Sequence, residues 1–138
     1  MLTIDSAGGI LIKEVDGVKN ILLCKRASTE PRFPGCWGCP AGRRDNQEES
    51  FEEIAVREVN EETGLEFNIG SLFGIYGMQL DDRKVITHLF LGDFSGEICF
   101  DFDEVEDCKW LTYSEAKKLE LSFFYDEVLD NLFFNKLL

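Results

Sequence analysis

The chain has 138 residues, 44% of them apolar, and a formal net charge of −13. That length suits a single domain, residues 1–138, with a sizeable core, while the absence of a basic cluster excludes a nucleic-acid duplex as partner. Small phosphorylated ligands stay admissible if a divalent cation bridges carboxylates to phosphate oxygens; no apolar run is long enough to span a bilayer, and the opening MLTIDSAGGILIKEVDG does not read as a secretory signal.

In chain order, residues 8–15 and 20–26 are apolar and flank Asp16-Gly17, the signal of a hairpin. Residues 27–47 carry all three prolines with several glycines, which predicts a long structured loop broken by a short strand near Trp37. A helix is expected from about Glu49 to Thr63, with acidic residues in its first turns and Gly64 as its stop. Residues 71–80 and 85–94 read as strands joined by a turn at DDRK, and residues 97–102 and 108–111 as further strands. TYSE, at 112–115, matches a capping box ahead of a short helix, and residues 123–137 are helical by spacing. Strands joined mainly by hairpins, with helices between them, predict an α/β fold with a mixed sheet rather than a doubly wound parallel one.

The five cysteines include CWGC at 36–39. That spacing permits a redox or zinc reading. However, Pro40 and Gly42 follow at once instead of a helix, and no second close pair completes a zinc ribbon. Reduced, buried or loop thiols in a cytoplasmic protein are the expectation.

The predicted helix carries an unusual inner face. At about 100° per residue, Phe51, Ile54, Ala55 and Val59 define an apolar side, and Glu58 and Glu62 continue it, with Glu61 beside Ile54 in projection. Like charges one turn apart destabilise a helix modestly, and half-buried carboxylates need a cation or donors. Arg57 supplies one cation for three carboxylates. Oxygen ligands gathered within one turn suit Mg²⁺ or Mn²⁺; the plainer alternative is a charged, solvated flank.

GRRDNQEESFEEIAVREVNEETGL, at 42–65, resembles the Nudix box, G-x5-E-x7-R-E-U-x-E-E-x-G-U with U apolar. The match runs without a gap from Glu49 through Arg57, Glu58, Glu61 and Glu62 to Gly64. One position departs: Arg43 stands where the box has its first glycine, and Gly42 lies one place early, which reads as a one-residue insertion in the loop before Glu49. WGCPAG at 37–42 is similar to the family's approach to the box, and EVEDCKWL at 104–111 to its late acidic loop and strand.

The resemblance implies an α/β/α sandwich around a mixed sheet. It also implies a MutT-like, Mg²⁺-dependent (or Mn²⁺-dependent) hydrolase that cleaves a pyrophosphate bond in a nucleoside diphosphate derivative, a (d)NTP or modified nucleotide foremost. ADP-ribose, nucleotide-sugar or dinucleotide substrates, and a nucleotide-binding module without hydrolysis, are the alternatives. By position, Glu58, Glu61 and Glu62 are the implied metal ligands, with the Gly42 carbonyl as a further one. Arg57 is expected to orient the carboxylates as an ion pair with Glu49. Glu61 or Glu104 is the candidate general base, and Arg26 a candidate substrate contact. His88, the only histidine, is expected to be structural. The Phe-rich tail covers the sheet or forms a homodimer interface.

Overall fold

The computed structural model describes residues 1–99 and 103–138. Eight strands and three helices follow in the order β1 (Leu2–Ile10), β2 (Ile12–Val15), β3 (Val18–Arg26), β4 (Trp37–Gly38), β5 (Ala41–Arg43), α1 (Phe51–Thr63), β6 (Glu66–Gln79), β7 (Arg83–Ser95), β8 (Val105–Leu111), α2 (Tyr113–Ala116) and α3 (Tyr125–Phe134). One sheet has the order β5-β1-β7-β6, with β1 and β7 parallel and the other neighbours antiparallel. In the second sheet, β3 pairs antiparallel with β2, β4 and β8.

Helices cover both faces. Ile54, Ala55 and Val59 of α1 pack with Ala7, Leu11, Leu22, Phe67 and Phe90. On the opposite face Val128, Leu129 and Leu132 of α3 pack with Ile10, Ile21, Leu23 and Leu89. The alternation along β3 explains this: Leu22 points to α1, while Ile21 and Leu23 point to α3. The result has the mixed pairing that the strand and helix pattern predicts and the α/β/α layering that the family resemblance implies.

The predicted hairpin is present, and both Asp16 (φ 52) and Gly17 (φ 79) take the left-handed backbone that a two-residue turn between right-twisted strands requires. The run at 8–15 is not one strand. It divides at Leu11, so that β1 enters one sheet and β2 the other, and β1 begins much earlier, at Leu2. The helix expected from Glu49 begins instead at Phe51, because Ser50 is its N-cap. The Ser50 side chain accepts from the Glu53 amide, and the Glu53 carboxylate accepts from Ser50 in return. Gly64 (φ 79) closes the helix as expected. β6 and β7 extend beyond their predicted limits, whereas residues 97–99 form no strand; residues 100–102 of that predicted strand lie outside the described residues. The Thr112–Glu115 capping box forms as the sequence predicts.

Candidate active site

The second half of α1 turns its inner face from the core to a cavity of about 340 Å³. Glu58 and Glu62 line it from α1, Gly42 and Arg43 from β5, Ser6 from β1, Thr87 from β7, Arg26 from β3, and Glu104 from the segment before β8. Phe123, Phe124 and Tyr125 line it from the entry to α3.

Arg57 holds the carboxylates of this helix in place. Its Nε donates to Glu49 Oε2 at 2.6 Å and its Nη2 donates to Glu49 Oε1 at 3.0 Å, a two-pronged pair. Nη1 donates to Glu58 Oε1 at 2.6 Å and to Glu61 Oε2 at 3.3 Å, and Nη2 also reaches the Arg43 carbonyl at 3.1 Å. Glu49 precedes the N-cap, so it meets Arg57 from the loop and not from one face of a continuous helix. The hydrogen bond from Arg57 is the main reason the Glu49 carboxyl is held down to about 2.

The two inward carboxylates are in the opposite condition. Burial pushes Glu58 up to about 7, outweighing the pull of the Arg57 guanidinium, and Glu61 and Glu104 push the same way. Burial raises Glu62 well above the ordinary carboxylate range, and the Glu58 charge adds to it; the Ala41 amide hydrogen-bonds Glu62 and offsets a part. Glu62 Oε2 is buried without a hydrogen-bond partner among the described residues. A buried, unpartnered carboxylate oxygen beside a second carboxylate that is hard to ionise is a site deficient in positive charge.

The donor set fits a hard divalent cation: all its atoms are oxygens, and the raised carboxyls would lose their protons to solvent on binding one. No three His, Cys, Asp or Glu side chains among the described residues are gathered closely enough to make a complete metal site. Glu61 accounts for this. It is exposed, lies off the cavity wall and is turned toward Arg57, so the three-glutamate group expected from the sequence is here a pair with Glu61 to one side.

The departure at Arg43 also resolves. A side chain at residue 42 would collide with the Glu58 carboxylate, so the glycine that the helix requires is Gly42. Arg43 is exposed and lines the cavity, and in the loop that follows the Arg44 amide donates to the Asp5 carbonyl and the Asp45 amide to the Glu49 carboxylate.

The NUDIX domain family matches residues 3–132. The chain belongs to that family. Similar curated proteins include the ADP-ribose pyrophosphatase of Methanocaldococcus jannaschii, 33% identical over 111 residues that cover 76% of this chain and 64% of that protein. Another is a putative 8-oxo-dGTP diphosphatase of Bacillus subtilis, 33% identical over 105 residues that cover 75% of this chain and 65% of that protein. The Nudix chain thus spans under two thirds of the length of these relatives. The crystal structure of a MutT NUDIX hydrolase from Burkholderia pseudomallei superposes with a TM-score of 0.82, covering 96% of this chain and 99% of that one at 24% identity, which shows the shared fold.

The remaining expectations sort by burial. Arg26 lines the cavity, its Nε donating to the Arg32 carbonyl at 2.9 Å and its guanidinium lying 5.3 Å from the Phe123 ring centre. His88 stacks on Phe51 at 3.7 Å on the α1 side of the sheet, a packing position. All five cysteines are free; Cys36 is half-buried and Cys39 buried, and burial pushes the Cys39 thiol up to about 12, which keeps that one thiol protonated. No helix among the described residues is long and apolar enough to cross a membrane. Sequence reasoning missed Ser6, Thr87, Arg32, Arg83 and Phe123 as cavity residues; none sits in a local pattern that marks it.

Proposed function

We propose that residues 1–138 form one cytoplasmic Nudix domain that hydrolyses the pyrophosphate bond of a nucleoside diphosphate derivative with Mg²⁺ or Mn²⁺. The observation that carries this is the unpartnered, buried Glu62 Oε2 facing the same cavity as Glu58 and Glu104. Glu58 and Glu62 would hold the cation, with Glu61 joining on release from Arg57 and the Gly42 carbonyl as a further oxygen. When bound, the cation neutralises phosphate charge and lowers the pKa of water.

The chain's own residues account for the rest. Arg26, Arg32, Arg43 and Arg83 line the same cavity and offer an anionic substrate cationic groups, Arg26 beside Glu30 and Arg32 and Arg83 sharing Asp82. Arg57 keeps Glu58 and Glu61 oriented through Nη1 and is itself fixed by Glu49. Glu104 lies close enough to raise the carboxyls of both Glu58 and Glu62 and is the base we assign to take the proton from the attacking water. Water adds to one phosphorus, the bridging P–O bond breaks, and two phosphorylated fragments leave. Relatives named for ADP-ribose and 8-oxo-dGTP hydrolysis support a nucleotide derivative as substrate.

The test is a panel of nucleoside triphosphates, nucleotide sugars, ADP-ribose and dinucleotides with Mg²⁺ or Mn²⁺, with products separated by chromatography. Metal-dependent cleavage of a pyrophosphate bond is expected. Tight nucleotide binding without cleavage of any compound would favour the non-hydrolytic reading instead.

A further inference from the structure

The floor of the cavity is the face of the first sheet on which β1 and β7 lie side by side. Their residues come in paired rows: Ile4 beside Val85, Ser6 beside Thr87, Gly8 beside Leu89. The rows on either side carry no side-chain hydroxyl or charge, whereas the middle row carries two hydroxyls, with Ser6 Oγ and Thr87 Oγ1 2.6 Å apart. Ser6 is 7% exposed and Thr87 2% exposed, and both line the cavity. Buried hydroxyls cost stability unless bonded, and apolar residues of the same size would pack this row without that cost. The mutual bond uses one of the two hydroxyl protons, leaving one donor and spare lone pairs for a third group.

The row extends across the sheet. Arg43 on β5 pairs with Ser6, and Tyr76 on β6 pairs with Thr87, so all four share a face. Two strand spacings, about 10 Å, separate Thr87 from Arg43, whose neighbour Gly42 packs against the Glu58 carboxylate. That is about the reach of a nucleotide between its base and its phosphates. Ile4, Leu80 and Val85 give the cavity apolar wall around the hydroxyls, while Phe123 and Phe124 line it from the α3 side, Phe124 stacked on Tyr76 at 5.5 Å. An apolar slot with one polar spot suits a flat ring that offers a donor and an acceptor on its edge.

We propose that Ser6 and Thr87 determine substrate specificity: their paired hydroxyls hydrogen-bond the edge of the substrate's base, with Phe123 and Phe124 against its ring. This rests on the nucleotide reading above. The alternative is that the pair only bridges β1 to β7, in which case substrate choice would not depend on it.

The experiment compares wild type with Thr87→Val, Thr87→Ser and Ser6→Ala. Steady-state kinetics are taken with four nucleoside triphosphates and with inorganic tripolyphosphate, which has no base, and each melting temperature is measured. Thr87→Val should raise KM about tenfold for the best nucleotide, leave kcat within about twofold, flatten the ranking of the four bases and leave tripolyphosphate unaffected. Thr87→Ser should recover most of the loss. An unchanged KM and base ranking in both Thr87→Val and Ser6→Ala would overturn the proposal, as would a Thr87→Ser variant as impaired as Thr87→Val. If wild type hydrolyses no nucleotide, the hydrolytic reading fails separately. Calorimetry with nucleoside monophosphates then decides: weaker binding by Thr87→Val sustains the proposal, and equal binding or no binding by wild type overturns it.

Discussion

α1 and α3 pack on opposite faces of the same layer, and they bury different chemistry. α3 sends Tyr125, Val128, Leu129 and Leu132 inward along its whole length. α1 begins the same way, with Ile54, Ala55 and Val59 in the core, and then buries Glu58 and the Oε2 atom of Glu62. One helix is optimised for packing. The other gives up packing energy in its last turns for carboxylates that are satisfied only in part among the described residues: Arg57 reaches Glu58, while Glu62 Oε2 has no partner. Buried carboxylates of raised pKa beside a cavity mark a functional site better than either burial or charge does alone.

The comparison predicts opposite responses to substitution. Leu129→Ala should cost about 3 kcal/mol of stability and leave kcat per folded molecule unchanged, as measured by urea unfolding and active-enzyme kinetics. A drop in kcat would tie α3's packing to the chemistry. Arg57→Ala should lose a similar amount, about 3 kcal/mol, since Glu58 and Glu49 would lose their main cation, and here activity should collapse as well. A stable, active Arg57→Ala protein would reduce its network to a surface ion pair.

A smaller effect comes from pH. Glu58 is raised to about 7, so the folded protein holds that proton more tightly than the unfolded chain does. Its contribution to stability is fully present below the ordinary glutamate value and is lost as pH rises toward 7. Glu49 runs the other way: its contribution is present above the ordinary value and is lost as pH falls toward about 2. With chelator present, stability should therefore fall by about 1 to 3 kcal/mol between pH 5 and pH 8, and Mg²⁺ should flatten that slope. A metal-free melting temperature that rises across the same window would contradict the assignment of Glu58.

α1 was legible in the sequence because its inner stripe and its stop lie within one contiguous stretch, from Phe51 to Gly64. Its start was misplaced only because Glu48 and Glu49 look like first-turn residues, while Ser50 takes the cap. Only the end of β1 was legible, as the start of the run at 8–15; residues 2–7 carry no strand signal of their own, and pairing with β7 and β5 is what makes Ser6 a strand residue. The cavity floor was hidden for a related reason. Ser6 and Thr87 meet across 81 residues of sequence, and a lone serine or threonine in a strand carries no signal of its partner. Glu104 and Arg26 could be named only through the family resemblance, and their convergence on one cavity is a product of the fold.

Glu62→Gln tests the central claim most directly, because it replaces one atom of the side chain whose Oε2 lacks a partner, removes its capacity to ionise and leaves the packing in place. The account predicts a metal-free melting temperature at or slightly above that of wild type, the disappearance of the Mg²⁺-induced rise in melting temperature, and a loss of pyrophosphate hydrolysis of about a thousandfold. Unchanged turnover, together with an unchanged response to Mg²⁺, would contradict it.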